Sequence, residues 1–555
     1  MPESVLTSLT EEIYRLLPKG LVVNFELPKN QEAILAIPVF RLAKEEGIGL
    51  DEAAHKISNL LSGVKNVEFE VAGGFVNVRL TEELYNKALF EAGQSDFGQT
   101  EIGRSKTIVI DYSSPNIAKP MSVGHLRSTV IGDALKRLYL SQGYRVVGIN
   151  FLGDWGTQFG KLLVAYKDKF GDFEPRAITL DELLELYVDF HSQAERNQSL
   201  EDEARRLFAR LDSGDQEVKI LWQHLVDISK KELSRIYTSL GILDFELMDG
   251  ESNHLAQAES IIELAKARGI STESEGALIV DLPELGTPLL LKKKDGATLY
   301  ASRDLAAIKE RVGKYNPEKI IYVVANEQSL HFQQLFSVAG QLGLAPNTEL
   351  IHAKFGLISL PEGKMSTRQG RVVFLEDVIE EVIEKAGKIV KDKNPEFSDG
   401  QIGKIAQKVG VGALKFYDLA NNRLHDIVFN WEKMLALNGQ AAPYLQYSYT
   451  RAESILSKAA DFEPGSDLNL KPYRDQIKML AKLPLVIGSA LEKNSPHLLA
   501  QYLFGIAGEF HAFYEKYPVL KAEADRPERL LIVKAFANVL KNGLDLLGIE
   551  VSERM

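Results

Sequence analysis

Hydrophobic and polar positions change period several times along the chain, and each change marks an element. In Ser8–Leu17, residues Leu9, Ile13, Leu16 and Leu17 fall on one helical face, and helical spacing returns over Val39–Glu46 and Asp51–Leu61. Val67–Val71 and Phe75–Leu80 alternate in the strand manner around a Gly73–Gly74 turn, and Thr81–Phe90 reads as helix. These elements predict a small α/β unit over 1–95. A second unit opens with the apolar run Thr107–Asp111, followed by a loop with two prolines, Ser113–Pro120. Helical periodicity then runs from Gly124 to Leu138, and Arg145–Asn150 is a second short strand. Strand, loop, helix, strand is the βαβ pattern of a parallel nucleotide-binding sheet.

From about 162 to 267 the chain is helical and charge-rich, which predicts an insertion into that sheet. Strand patterns return at Ala277–Leu282, Leu289–Lys292, Lys319–Val324 and Leu350–Phe355, and are expected to complete it within a unit spanning 96–372. Beyond 373, Glu376–Val390, Ser398–Asp418, Ala442–Lys458, Leu498–Lys516 and Glu528–Leu547 all show helical spacing, with an exposed loop at Asp461–Asn469. They predict a helical connector over 373–434 and an all-α bundle over 435–555. The fold class is therefore α/β: a Rossmann-type parallel sheet with a helical insertion, a small N-terminal α/β unit and a C-terminal helical bundle.

Composition narrows the chemistry. The 555 residues give room for three or four domains of roughly 150 residues each. The chain has no cysteine, which removes disulfides, thiolate zinc sites and cysteine nucleophiles. Its 65 basic and 77 acidic residues leave a net charge of -12, against a protein that coats nucleic acid nonspecifically. The amphipathic, acid-containing start and the lack of a run of about 18 apolar residues point away from secretion and membrane spanning, so a cytoplasmic location is expected.

Two segments carry candidate chemistry. Ser113-Ser-Pro-Asn-Ile-Ala-Lys-Pro-Met-Ser-Val-Gly-His-Leu-Arg-Ser128 lies between a strand and a helix. A helix start offers free N–H groups to phosphate. Gly124 lets a ligand approach the backbone, His125 can donate from the first turn, and Lys119 adds positive charge. The same residues read equally as a plain strand-to-helix turn. Pro361-Glu-Gly-Lys-Met-Ser-Thr-Arg-Gln-Gly370 gathers two cations and two hydroxyls, suited to closing on a leaving polyphosphate or to an ordinary solvated loop.

Taken together, Val-Gly-His and Lys-Met-Ser resemble the HIGH and KMSKS pair of class I aminoacyl-tRNA synthetases. With Leu152-Gly-Asp-Trp-Gly-Thr-Gln-Phe-Gly160, Tyr300-Ala-Ser-Arg-Asp304 and Ala442-Pro-Tyr-Leu-Gln-Tyr447, the whole chain resembles arginyl-tRNA synthetases. That resemblance implies ATP, L-arginine and tRNA(Arg) as partners, with Mg²⁺ held mainly through the nucleotide phosphates, and commonly a monomer. It implies that Ser122, Gly124, His125, Lys364 and Ser366 meet ATP, with Lys119, His125, Lys364 and Ser366 catalytic. It gives the arginine side chain to Asp111, Tyr300 and Asp304, and its α-amino and carboxylate groups to Ser114, Asn116 and Gln328. A guanidinium is planar, permanently charged and rich in donors, so carboxylates and an aromatic face suit it.

It also assigns tRNA contacts to Phe75 and Asn77 in the N-terminal unit and to Tyr444, Tyr447 and Met555 in the bundle. Without it, Tyr444 and Tyr447 read equally as bundle core at i, i+3 spacing. Four positions depart from the family pattern. Ser122 stands where the first HIGH histidine is usual, Thr367 replaces the second KMSKS lysine, Phe151 replaces a frequent histidine, and Asp111 takes a place often held by glutamate. Lys119 is the residue expected to stand in for the missing lysine.

Overall fold

The structure, a computed structural model, describes residues 4–18, 33–294, 300–359, 373–436, 439–459, 468–522 and 524–555. The segment carrying Lys364 and Ser366, and most of Asp461–Asn469, lie outside the described residues.

The N-terminal unit is a three-stranded antiparallel sheet with Phe75–Leu80 between Leu35–Pro38 and Val67–Ala72. Gly73 and Gly74 both take positive φ (55° and 86°), the conformation a two-residue hairpin needs. Helices Val5–Leu16, Phe40–Glu46, Leu50–Leu60 and Glu82–Ala92 accompany the sheet. Their apolar faces, among them Leu9, Ile13, Ile57 and Leu89, are buried in the core.

The central sheet is parallel and five-stranded, in the order Glu349–His352, Lys319–Tyr322, Thr107–Asp111, Arg145–Leu152, Leu247–Gly250. Ile108, Val109 and Ile110 are fully buried, as a strand covered on both faces requires. The helix Leu126–Ser141 crosses between the first two of these strands in sequence. It packs so closely that a Cβ on Gly132 would lie 2.2 Å from the Tyr112 ring.

The path through the sheet differs from expectation in one respect. Ala277–Val280 and Leu289–Lys292 do not complete the parallel sheet. With Ser271–Ser274 they form a separate antiparallel sheet. The fifth parallel strand is Leu247–Gly250, inside the stretch 162–267 expected to be helical. The remainder of that stretch holds the helices Thr157–Phe170, Leu180–Ala194, Ser199–Asp212, Gln216–Leu240 and Leu255–Ala267. A four-residue edge strand with two apolar residues is too short to establish a period of its own.

Downstream, Leu375–Lys393 and Asp399–Leu419 pair as long helices, followed by Ala442–Ser457, Arg474–Ala481, Leu483–Glu492, His497–Lys516 and Arg526–Leu546. Phe510, Phe513 and Phe536 fill the core of this bundle.

Candidate active site

From Thr107–Asp111 the sheet grows outward to Arg145–Leu152 and Leu247–Gly250, and later in the chain to Lys319–Tyr322 on the other side. The carboxyl ends of strands part at such a reversal and leave a crevice for a ligand. Asp111 and Tyr322, paired in register, flank it. A cavity of about 410 Å³ opens there, and Asp111, Ser114, Asn116, Tyr300, Asp304 and Gln328 all line it. The six positions the family resemblance assigned to arginine are thus brought together from one strand end, a loop and two helical segments.

The loop after Asp111 is held in unusual backbone. Ser113, Ser114 and Ala118 have φ of 67°, 44° and 66°, which non-glycine residues adopt only under constraint. The constraint is a hydrogen-bond network. Ser113 N–H donates to Ser128 Oγ (2.9 Å), Ser114 N–H to Asn150 Oδ1 (3.0 Å) and Ala118 N–H to Ser229 Oγ (3.0 Å). Tyr237 and Ser113 share a 2.7 Å hydroxyl contact, and Asn150 Nδ2 donates to Tyr237 OH at 2.9 Å. Ser229 and Tyr237 both come from the helix Gln216–Leu240. Gly153 is required beneath the loop, since a Cβ there would lie 2.0 Å from Asn116 Oδ1.

Each acid of the cavity has a basic side chain against it. Asp111 pairs with Arg311 (2.8 Å) and accepts from Ser114 Oγ (2.7 Å). Burial pushes the Asp111 carboxyl up, while Arg311 and Ser114 pull it back down. Asp304 Oδ2 lies 2.8 Å from His331 Nε2. Glu251 pairs with Arg303, whose guanidinium lies 4.8 Å from the centre of the Tyr300 ring. Burial pushes Glu251 up to about 8, opposed by Arg303. Tyr300 itself is 56% exposed, at the start of the helix Tyr300–Tyr315, so its ring is open to a ligand. Glu251, Arg311 and His331 were not singled out from sequence. Arg311 lies seven residues after Asp304, two helical turns on the same face, which was a readable signal.

The expected nucleotide site sits beside this cavity. Val123–His125 is a single 3-10 turn leading into Leu126–Ser141. Ser122 N–H donates to His125 Nδ1 at 3.1 Å, and Ser122 Oγ lies 3.1 Å from the same atom. The same ring nitrogen also lies 3.2 Å from the Ser122 carbonyl oxygen, so three groups of Ser122 gather on Nδ1. Burial holds the imidazole down to about 4, so it acts near neutral pH as an uncharged donor. Gly124 is exposed, and a Cβ there would meet only Ser122 Oγ, at 3.4 Å. Lys119 is half-buried, which lowers its pKa.

Both flanks of the segment 360–372 are tied to this turn. Val123 N–H donates to Val373 O (3.0 Å) and Leu375 N–H to Met121 O (2.8 Å). On the other flank, fully buried Arg127 donates to Gly356 O (2.6 Å), His425 O (2.8 Å) and Asp418 Oδ2 (2.8 Å).

In the bundle, Tyr444 and Tyr447 both stack on His511, with ring centres at 5.1 and 6.3 Å. Tyr444 is half-buried. Tyr447 is exposed and lines two cavities, one of about 310 Å³ with Met555 and one of about 560 Å³ with Arg451 and Tyr514. In the N-terminal unit, Phe75 packs edge-on against Phe40 at 5.2 Å. Asn77 is only 6% exposed in the middle strand, so its side chain is not presented on an open surface.

A switch-point crevice with a VGH turn on one side and an acid-lined cavity on the other defines a class I aminoacyl-tRNA synthetase catalytic domain. The family model for "tRNA synthetases class I (R), catalytic domain" matches residues 86–431, and that for the "DALR anticodon binding domain" matches 445–555. The chain is 43% identical to the arginine--tRNA ligase of an Exiguobacterium species, over 98% of this chain and 99% of that one. It is 40% identical to that of Clostridioides difficile, over 100% and 99%. The solved arginyl-tRNA synthetase of Thermus thermophilus superposes with a TM-score of 0.85 at 25% identity, covering 99% of this chain and 100% of that one. The enzyme of Plasmodium falciparum superposes with a TM-score of 0.86 at 25% identity, covering 100% of both chains. This chain belongs to the arginyl-tRNA synthetase family.

Proposed function

We propose that the chain joins L-arginine to ATP and passes the arginyl group to the 2′-hydroxyl of the terminal adenosine of tRNA(Arg). The observation that carries this reading is the acid-lined switch-point cavity, with Tyr300 and Asp304 one helical turn apart beside the VGH turn. In the first step an arginine carboxylate oxygen attacks the α-phosphorus and pyrophosphate leaves. In the second the ribose 2′-oxygen attacks the carbonyl carbon of the adenylate and AMP leaves. No covalent enzyme intermediate is involved, so the protein acts by positioning and by stabilising charge.

In this reading Asp304, Asp111 and the face of Tyr300 take the guanidinium. Ser114, Asn116 and Gln328 take the amino and carboxylate end. Gly124 and His125 hold ATP, and Lys119 supplies positive charge, together with Lys364 and Ser366. Mg²⁺ would be held mainly through the nucleotide phosphates, whose charge it would offset. Tyr444, Tyr447 and Met555 are the proposed anticodon contacts, because exposed aromatic rings stack on unpaired bases. No helix among the described residues is long and apolar enough to cross a membrane. A cytoplasmic monomer remains the proposed location and state.

The test is arginine-dependent aminoacylation of a tRNA transcript with an arginine anticodon. Charging with arginine and not lysine is the expected result. Binding of that tRNA without charging at any enzyme concentration would overturn the catalytic reading.

A further inference from the structure

Three carboxylates line the arginine cavity, and their counter-cations differ in kind. Asp111 faces Arg311 and Glu251 faces Arg303. An arginine side chain keeps its charge at every working pH. Asp304 alone faces a histidine, His331 Nε2, at 2.8 Å from Oδ2. Both side chains keep about a quarter of their surface open (26% each), so the pair lies at the cavity wall and not behind it. Asp304 is also an acid that the proposed function gives to the substrate guanidinium.

We propose that His331 is a positioning residue that makes arginine capture proton-linked, a conclusion that rests on the proposed arginine-activating function. Protonated His331 holds Asp304 as an ion pair and competes with the incoming guanidinium for the same carboxylate. Neutral His331, still a donor through Nε2, orients Asp304 by one oxygen and leaves its charge to the substrate. Of the cavity's cations only this one gives way by losing a proton, and its proton goes to solvent as arginine enters. The opposite sign does not arise, because protonation adds a positive charge next to the place a cation must bind.

The titratable and charged groups that line the cavity with His331 are Asp304, Arg311 and Tyr300 from the helix Tyr300–Tyr315, Asp111 and Tyr322 from the strand ends and Glu251, while His352 on the edge strand lies within electrostatic reach. Asp304 is the one in hydrogen-bond contact with its Nε2. His352 is held neutral by its own burial, down to about 4, so it is no second switch over the working range.

The experiment measures the arginine and ATP KM values and kcat for tRNA charging from pH 5.5 to 9. Wild type is compared with His331→Gln, which keeps an N–H donor without titrating, and with His331→Leu, which keeps neither. For wild type the arginine KM is expected to climb on the acid side, by up to about tenfold per pH unit for a single linked proton, while the ATP KM stays level. In His331→Gln the acid-side climb disappears. In His331→Leu the arginine KM is raised throughout with the climb also gone, and kcat changes less than KM. The same acid-side climb in either variant as in wild type would overturn the proposal while leaving the arginine-activating function standing. Failure of wild type to charge arginine at any pH would overturn both.

Discussion

Asp304 shows how much of a substrate site one residue can hold in advance. Its carboxylate sits beside Tyr300 on one helical face and is already in contact with His331. Asp304→Ala is expected to raise the arginine KM by about 100-fold, the worth of a charge-assisted pair of roughly 3 kcal/mol, and to leave the ATP KM within about twofold. Steady-state charging kinetics with each substrate varied would show it, and equal effects on both would remove Asp304 from the arginine site. Ser122 is a different case. The sequence made it a short-armed replacement for a phosphate-binding histidine. In the structure its amide and hydroxyl both face His125 Nδ1, so it orients the histidine that remains. Ser122→Ala is therefore expected to raise the ATP KM about fivefold, one hydrogen bond's worth, with the arginine KM unchanged. An unchanged ATP KM would show that the amide alone fixes the ring. Helical spacing put Tyr300 and Asp304 on one face, but it was the family resemblance that turned a possible surface pair into an expected arginine site. His331 and Glu251 were not legible in sequence, since each reaches its partner only when a separate segment folds against the cavity.

At the scale of elements, the loop Ser113–Ala118 and the helix Gln216–Leu240 form one device. Three non-glycine residues with positive φ cost on the order of 1–3 kcal/mol each, and something must hold them. Ser229 and Tyr237 do so from a helix some 110 residues away in sequence, within the stretch that read as a mere insertion. The insertion is thus part of the active-site scaffold. Tyr237→Phe keeps the packed ring and removes only the hydroxyl shared by Ser113 and Asn150. Its expected effect is about a tenfold loss of kcat/KM for arginine, from a misplaced Ser114 and Asn116, with a much smaller shift in melting temperature. A loss confined to stability, with kinetics intact, would make the tyrosine structural only. The five long helices of the tail were readable to within a few residues because their apolar stripes are long, whereas the shorter Arg474–Ala481 and Leu483–Glu492 were not singled out. The strand Leu247–Gly250 was missed because four residues carry no period, and the antiparallel sheet at 271–292 was misassigned because strand pattern does not reveal strand partner.

For the whole molecule, charge and burial pull in separate directions. Residues 435–555 carry 14 basic and 14 acidic side chains, so the rest of the chain holds the entire net charge of -12. An acidic body with a neutral DALR module discourages nonspecific RNA, which fits the proposal that recognition rests on shape and on stacked rings such as Tyr447. Two buried cations tie the helix Asp399–Leu419 into the body, and one of them also reaches the module. Arg127, on the helix that follows His125, reaches Asp418, Gly356 O and His425 O. Lys415, on the helix Asp399–Leu419 with Asp418, reaches Gly548 O at 2.8 Å and Gly241 O at 3.2 Å. Both cations are fully buried, so losing a partner leaves an uncompensated charge in the interior, at a cost of about 3–5 kcal/mol. Asp418→Ala is expected to lower the global stability by about that amount and to reduce kcat as well, because Arg127 lies two residues after His125. Asp418→Asn keeps the shape and one acceptor oxygen, and should recover part of both. Calorimetry discriminates further. If these buried contacts weld the catalytic sheet to the helical tail, wild type melts in one cooperative transition and Asp418→Ala splits it into two. Two transitions already present in wild type would show that the domains are only loosely docked, and that Arg127 serves the VGH turn alone.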